Sequence, residues 1–360
     1  MFGVFRFILA VMVLITHIGR VEVVAGLAVW GFFMLSGFLM TAVLNRKYGL
    51  DAAGIAKFAV SRSIRLFPTY WITILIMGVM ILLWGARLDP RLINGALSIP
   101  DAPRDIAANL FILGHTVLGI GRISEALSAS AWAVDVEILM YVCSCLFLAR
   151  SKRIALVCLA ILAAAYPVLW FAAKRAIAGG NVELAGELTY SFLPAALLPY
   201  AIGTCLWFYR NRIPQFLASP FMSFFGWCGL PICALLVSKI SVSAAYILSL
   251  PCLMIIIAGL AGLKPSPGIR RVDDVFGRLS YPIYLSHWFC AYAVALAAGD
   301  RFGLTEPVGA MLGFTASGFF VVLAVTIGVA LLFALLVEEP VERIRHSLAK
   351  TTPSVPEPAL

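Results

Sequence analysis

Long apolar stretches recur along the whole chain, and they constrain its fold more than any other feature. The hydrocarbon core of a bilayer is about 30 Å thick, so a helix that crosses it needs about 20 mostly apolar residues. Only 12% of the 360 residues are charged. The sequence therefore predicts an all-α, polytopic integral membrane protein with about ten transmembrane helices. The predicted spans cover residues 4–20, 25–44, 67–86, 131–149, 154–173, 190–208, 219–238, 242–263, 279–298 and 309–337.

The distribution of basic residues predicts that both termini are cytoplasmic. With a cytoplasmic N-terminus, ten spans place residues 45–66, 150–153, 209–214, 264–278 and the C-terminal tail on one side. Together with the arginine at the start of the first span, that side holds 18 of the 27 Lys and Arg residues. Cytoplasmic loops carry such an excess. The net charge of +9 therefore reflects membrane topology, and no nucleic-acid partner is expected.

The domain organisation predicted from the sequence is simple. Residues 1–345 form one transmembrane domain, and the proline-rich segment 346–360 is a short, disordered cytoplasmic tail. The longest connection, residues 88–130, is interpreted as a loop with an interfacial or re-entrant piece. A cleaved signal peptide over the first 25 residues is the alternative reading of the N-terminus, but His17 is unusual in a discarded apolar segment.

The eight cysteines indicate neither a disulfide framework nor a metal centre. All of them fall inside predicted spans, and no Cys or His cluster has the spacing of zinc ligands. Small buried apolar side chains are the better interpretation. No metal cofactor is expected.

The first predicted span carries two polar residues on one face. Arg6 and His17 are eleven positions apart, which is close to three helical turns and about 16 Å along the axis. This spacing places Arg6 near the cytoplasmic surface and His17 near the middle of the membrane. Ionisable groups at that depth are usually functional. An imidazole accepts a hydroxyl proton near neutral pH, so His17 is the candidate general base, although a hydrogen-bonded structural histidine is the alternative.

Two arginines precede the third predicted span. Arg62 and Arg65 are three positions apart and so share a helical face, just before Pro68. Planar guanidinium groups bind phosphate oxygens in pairs, so the two side chains fit a phosphate-bearing ligand at the cytoplasmic boundary. Binding to lipid headgroups or a purely topological role explains them equally well.

The start of the fourth predicted span carries further polar residues. Trp132 begins it, and Glu137 and Tyr141 share a face four positions apart. Asp135 is 200° away from Glu137 around the helix, so the two carboxylates are expected to face different surroundings. A carboxylate at this depth requires a partner, such as an arginine or a histidine.

The ninth predicted span begins with a stripe of hydroxyl and imidazole groups. Ser280, Tyr284 and His287 follow a spacing of four and then three residues and share one face. Such a stripe fits the wall of a polar cavity, and it equally fits hydrogen bonds between neighbouring helices.

Three glutamates lie at the end of the last predicted span. Glu338, Glu339 and Glu342 are able to pair with cytoplasmic arginines, although a solvated helix end is the plain alternative. His115 and His346 have no partner pattern in the sequence and are interpreted as non-catalytic.

Taken together, these motifs resemble the acyltransferase-3 family of bacterial membrane acyltransferases. Each motif is weak alone, but their order, their spacing and their placement near helix ends are typical of the family. Relatives usually carry serine after the tryptophan of the fourth span, where this chain has Ala133. The motifs are Arg6 with His17, Trp30 to Phe38, Arg62 with Arg65, Trp132 to Tyr141, Ser280 to His287, and Glu339 with Pro340.

The resemblance implies an O-acyltransferase of the bacterial cytoplasmic membrane, one that transfers groups other than aminoacyl groups. It implies an acyl-CoA donor, most often acetyl-CoA, and an acceptor hydroxyl on a carbohydrate or glycolipid. Some relatives carry an appended esterase-like domain, which is not expected here.

The sequence leads to a mechanistic hypothesis built on ten residues. Phosphates of the donor would bind Arg62 and Arg65 with help from Arg6, and His17 would act as general base or as nucleophile. Glu137 and Tyr141 would orient His17 or the acceptor. Substrate or cavity contacts are expected at Trp132, Tyr141, Ser280, Tyr284 and His287. A transporter or flippase of a polar lipid or glycan is the alternative from another class, and a membrane scaffold is a more distant one.

Overall fold

The computed structural model describes residues 1–19, 24–236, 241–263, 265–298, 304–308 and 311–350. Side chains of 304–308, 311–313 and 346–350 lie outside this description. The described part is almost entirely helical. Its α-helices are α1 (Gly3–Gly19), α2 (Val24–Val43), α3 (Ala52–Trp84), α4 (Pro103–Phe111), α5 (Ala131–Cys143), α6 (Lys152–Ala178), α7 (Val182–Tyr190), α8 (Leu193–Tyr209), α9 (Pro220–Leu236), α10 (Val242–Gly262), α11 (Pro267–Ala298), α12 (Ala316–Phe333) and α13 (Glu339–Lys350).

Shorter elements extend or interrupt these helices. Helices α2, α5 and α12 each continue into a π-helical turn, at Leu44–Tyr48, Ser144–Leu148 and Ala334–Glu338. Strands β1 (Leu304–Val308) and β2 (Met311–Phe314) pair as an antiparallel hairpin. The predicted start of the last span at residue 309 is wrong, because β2 precedes α12 and the helix begins at Ala316. The Thr315 side chain caps α12 by accepting the Gly318 N–H at 3.3 Å.

Seven described helical segments are long and apolar enough to cross a membrane. Helices α1 and α9 are apolar but shorter, and α11 carries more polar residues. The chain is therefore a multi-pass membrane protein, as predicted. These three further helices coincide with the other three predicted spans. The total of ten crossings and the cytoplasmic position of both termini remain predictions. Helix α13 continues to Lys350, and residues 351–360 of the predicted tail lie outside the described residues.

Two helices begin well before the predicted spans. Helix α3 begins at Ala52, where the Asp51 carboxylate accepts the Gly54 N–H at 3.1 Å, and not at residue 67. Helix α11 begins at Pro267 and not at residue 279. A hydropathy window detects only the apolar part of a helix that extends beyond the membrane. Arg62 and Arg65 therefore lie inside α3.

Helix α2 lies in the centre of the bundle, against α1, α8 and α10. Glycines allow the closest of these approaches. Gly37 of α2 faces the backbone of Tyr200, and Gly203 of α8 faces the backbone of Met34, so a Cβ at either glycine would overlap a carbonyl group of the other helix. Small residues are the usual means by which membrane helices pack closely.

Asp273 connects α11 to the first turn of α1. Its carboxylate accepts the backbone N–H of Gly3 at 3.1 Å and that of Val4 at 3.0 Å. The first N–H groups of a helix have no partner within the helix, and a negative charge there also complements the helix dipole. This interaction fixes the helix that carries Arg6 and His17.

We predict that Asp273→Ala lowers the free energy of unfolding by about 1–2 kcal/mol, because two N–H groups at the start of α1 lose their acceptor. Thermal unfolding in nanodiscs measures the change. Asp274→Ala is the matched control, since the neighbouring carboxylate is exposed. Equal unfolding midpoints for the two variants would contradict the role of Asp273.

Candidate functional site

A cavity of about 130 Å³ lies between α1, α2, α3, α5 and α11. It collects seven of the ten site residues predicted from the sequence. We call it the arginine cavity. Its lining includes Arg6, Arg62, Arg65, Glu137, Tyr141, Ser280 and Tyr284.

The three arginines of the cavity differ in how they are partnered. Arg65 forms an ion pair with the buried Glu338, which also accepts the Thr69 hydroxyl at 2.6 Å. The buried Nε of Arg62 has no hydrogen-bond partner among the described residues. Arg6 lies within electrostatic range of Arg62. The cavity therefore has positive charge available for an anionic ligand.

Glu137 is held by two hydroxyl groups on the cavity wall. Ser36 Oγ and Tyr141 OH each donate to its Oε1 at 2.7 Å. These two hydroxyl groups take the place of the ionic partner that the sequence predicted for Glu137. The Arg6 charge is within electrostatic range of Glu137. Asp135 faces the other way and accepts the N–H and the hydroxyl of Thr116, both at 2.9 Å. The prediction that Glu137 and Asp135 face different surroundings is confirmed.

The remaining three predicted residues lie beyond Tyr284, outside the lining of the arginine cavity. His17 Nδ1 and His287 Nε2 are 3.0 Å apart, and the His17 ring stacks on Trp288 with centroids 4.8 Å apart. Trp132 lies nearby, against Tyr190. We call His17, His287 and Trp288 the histidine cluster.

One expectation about His17 needs correction. His17 lies in the last turn of α1 with its side chain exposed at the edge of the bundle, and its depth in the membrane stays a prediction. Its hydrogen-bonded neighbour is His287, whereas Glu137 and Tyr141 bond to each other. Helical periodicity predicted that Arg6 and His17 share a face, but it could not show which helix supplies the hydrogen-bond partner of His17.

The hydrogen bonds of the histidine cluster fix the tautomers of the neutral rings. His287 Nδ1 lies 2.9 Å from the carbonyl oxygen of Tyr284, which can only accept, so His287 Nδ1 carries the proton. Its Nε2 is then an acceptor, and His17 Nδ1 must be the donor in the 3.0 Å bond. The lone pair of His17 is therefore on Nε2, where no described residue occupies it. A base in this form is ready to accept a proton.

Tyr284 separates the arginine cavity from the histidine cluster. It lines the cavity, and its ring centroid is 6.4 Å from that of His287. Its hydroxyl donates to the Ser130 carbonyl at 3.0 Å, and Trp288 Nε1 donates to Ser130 Oγ, also at 3.0 Å. Ser280, one turn earlier, donates to the Gly277 carbonyl at 2.9 Å. The predicted polar stripe of α11 thus runs from the wall of the arginine cavity to the histidine cluster.

Besides Trp288 of the histidine cluster, sequence reasoning missed Ser36 and Arg122. Ser36 lies inside the motif from Trp30 to Phe38, but only the structure shows that it bonds to Glu137. Arg122 lies in the irregular connection before α5, with its guanidinium carbon 4.2 Å from the Trp132 ring centroid. Glycines at 119 and 121, which indicate a tight turn, were the available signal for it.

The residues outside the site complete the comparison with the sequence. Within the described residues, no group of three or more His, Cys, Asp or Glu side chains could hold a metal ion. All eight cysteines are free, and Cys228 is exposed. His115 is buried, 3.4 Å from the Tyr70 hydroxyl, and the side chain of His346 lies outside the described residues.

The three glutamates after α12 form ion pairs with arginines, which is one of the two interpretations that the sequence left open. Glu338 pairs with Arg65, Glu339 with Arg343, and Glu342 with Arg345. Glu338 is 2% exposed and Glu339 35% exposed, so the Glu338 carboxylate is buried whereas the Glu339 carboxylate is accessible to water.

We predict that Glu338→Gln lowers the free energy of unfolding by about 3 kcal/mol, because it leaves the Arg65 charge buried without its partner. Glu339→Gln should change it by less than about 0.5 kcal/mol, since that pair is exposed. Unfolding midpoints in nanodiscs measure both. A Glu338→Gln protein as stable as the Glu339→Gln protein would show that Arg65 does not depend on this ion pair.

Comparison with protein families agrees with the motifs. A family model described as an acyltransferase domain matches residues 2–335, which include all ten predicted site residues. Comparisons with curated proteins and with solved structures give no significant match. The matched family is one of acyltransferases, which argues against the alternative functions of transporter and scaffold. The chain belongs to the acyltransferase-3 family and is a multi-pass membrane acyltransferase.

Proposed function

We propose that this acyltransferase transfers an acyl group, most simply acetyl, from acyl-CoA to a hydroxyl of a glycan, glycolipid or related acceptor at a bacterial cytoplasmic membrane. One observation carries the proposal. The arginine cavity and the His17 lone pair lie at opposite ends of α1, about 16 Å apart along its axis. A donor with phosphates at one end of a long arm and a thioester at the other fits this separation.

The donor would enter from the side of the arginine cavity, which is the side that the sequence predicts to be cytoplasmic. A cavity of about 130 Å³ is too small for a whole coenzyme, so the nucleotide would remain outside it. The Nε of Arg62 has no hydrogen-bond partner in the described part of the chain, and Arg6 and Arg65 line the same space. These three guanidiniums would hold the phosphates. The ion pair to Glu338 would keep Arg65 in place.

The arm of the coenzyme would then pass along the polar wall of the cavity. Glu137, with Ser36 and Tyr141 bonded to its carboxylate, offers a fixed acceptor to a passing amide N–H. Ser280 and Tyr284 continue this wall toward the histidine cluster. Glu137 would thus act by orienting the donor, and the thioester would come to rest beside Tyr284.

His17 would supply the base. Its Nε2 would accept the proton of the acceptor hydroxyl as the oxygen attacks the thioester carbonyl, and would return that proton to the departing coenzyme A thiolate. Formation of an acyl-imidazole on the same nitrogen, followed by transfer to the hydroxyl, is the alternative. Both routes use the lone pair that His287 leaves free. His287 would be a positioning residue in either case.

We predict that His17→Ala lowers acyl transfer by about 10²–10⁴-fold, because the proton acceptor is lost. His17→Gln should be equally inactive, although its amide N–H preserves a donor to His287. Mass spectrometry of surface glycans from a deletion strain complemented with each variant measures transfer, and the mass restored by the wild type identifies the acyl group.

Thr16→Ala is the matched control for His17, because the Thr16 hydroxyl donates to the Met12 carbonyl of its own helix, at 3.1 Å, and to no other described residue. This variant should restore the modification. Full modification in the His17→Gln strain would refute the role of the imidazole.

We predict that Arg62→Ala weakens binding of coenzyme A by about tenfold or more, because a phosphate contact worth about 1.4 kcal/mol is lost. Titration calorimetry with the purified protein measures this without chemistry. Arg343→Ala removes an exposed arginine of α13 and is the control. Coenzyme A that binds the Arg62→Ala protein as tightly as the control would exclude Arg62 from the phosphate site.

A further inference from the structure

Arg122 is presented by a tight turn in the connection before α5. Val117 and Ile120 exchange backbone hydrogen bonds of 2.8 and 3.1 Å. Between them, Leu118 and Gly119 have φ values of +54° and +90°. Positive φ at both central positions is the geometry of a type I′ turn, and it is uncommon for a leucine. Surrounding contacts must hold such a backbone in place.

Four contacts anchor this turn. On one side, Asp135 accepts two hydrogen bonds from Thr116, both 2.9 Å. On the other, Ser191 Oγ donates to the Gly119 carbonyl at 2.7 Å, and the N–H of Leu193 donates to the Leu118 carbonyl at 2.8 Å.

The fourth contact lies directly before Arg122. Both carboxylate oxygens of Glu187 lie 3.1 Å from the Gly121 N–H, which donates to them. Glu187 is 7% exposed, so a buried acidic side chain fixes the backbone next to an exposed basic one. Such support is expected where a loop positions a functional side chain.

The Arg122 side chain itself is exposed, and it lies over the face of Trp132 at 4.2 Å. None of the described acidic side chains lies within ion-pair distance of it. Trp132 follows Ser130 by two positions, and Ser130 accepts hydrogen bonds from Tyr284 and from Trp288, so Arg122 lies near the histidine cluster. Stacking on an indole holds a guanidinium in place while its N–H groups stay available for a ligand.

Aromatic rings pack behind Trp132, the ring that carries Arg122. Trp132 and Tyr190 have centroids 5.4 Å apart, and Tyr190 stacks on Tyr246 at 5.2 Å. Tyr246 in turn lies 5.2 Å from Trp30. Tyr246 and Trp30 are buried, so these rings support Trp132 from inside the bundle and keep its face in place under the guanidinium.

We propose that Arg122 and Trp132 form a subsite for a negatively charged group, a carboxylate or a phosphate, on a substrate that reaches His17. Binding of an anion at this subsite does not depend on the proposed function, whereas the role of the subsite in acyl transfer rests on it. Two sources share this chemistry. The anion belongs either to the acceptor, as in an acidic glycan, or to the acyl group, as in the thioester of a dicarboxylic acid.

Direct binding tests the subsite without chemistry. The full chain in nanodiscs is titrated with methyl glucuronide, glucose 1-phosphate and neutral methyl glucoside, and tryptophan fluorescence is followed. The wild type should bind at least one anionic probe about tenfold more tightly than the neutral one. Arg122→Gln should abolish that preference, and Arg122→Lys should keep part of it, because the charge remains.

Arg104→Gln, an exposed arginine of the same connection, is the matched control and should keep the preference. No preference for an anion in the wild type would overturn the proposal. A preference that survives in the Arg122→Gln protein would overturn it too.

Activity identifies the source of the anion. If the acyl group carries it, Arg122→Gln should lower kcat/KM about tenfold for succinyl-CoA and leave acetyl-CoA unaffected. If the acceptor carries it, both donors should be slowed equally. His17→Gln protein should bind the anionic probes like the wild type. Binding of those probes by a protein without any transfer activity would refute the proposed function and leave the subsite standing.

Discussion

A polar group buried in a membrane bundle has no water to satisfy it, so its partner must come from the protein. The helices of this chain are joined by such partnerships. Asp273 of α11 holds the start of α1, Glu338 holds Arg65, and His287 holds His17. Each bond links residues more than 200 positions apart in sequence, because α1 and α3 pack against the C-terminal part of the chain. The fold and the site are built by the same interactions.

The groups that lack a partner among the described residues then indicate where ligands bind. Arg62 Nε and His17 Nε2 are two of them, and the Arg122 guanidinium, which stacks on Trp132, has no acidic partner among the described residues. Tyr284 lies between the first two, because it lines the arginine cavity and its ring centroid is 6.4 Å from that of His287. This arrangement fits the proposed reaction, in which a phosphate-bearing donor and a hydroxyl-bearing acceptor meet at an imidazole.

The sequence predicted a multi-pass helical membrane protein and the acyltransferase family, because apolar length and motif order are local properties. It placed Arg62 and Arg65 on a helical face just before the third span, since hydropathy does not detect the charged half of α3. It expected Glu137 to orient His17 or the acceptor, and the structure shows no bond between Glu137 and His17 among the described residues. Helical periodicity relates residues on one helix, whereas the His17–His287 pair depends on how α1 and α11 pack. Arg122 escaped notice because an irregular turn has no period.

The central claim is that His287 leaves the Nε2 lone pair of His17 free. The chain has only four histidines, so ¹⁵N solid-state NMR of the histidine-labelled protein in lipid can observe each ring. The His17 signals are assigned by their loss in the His17→Gln variant. The structure predicts a neutral His17 with its proton on Nδ1 and none on Nε2. A proton on Nε2 of His17, whether in the other tautomer or in the imidazolium, would contradict the account.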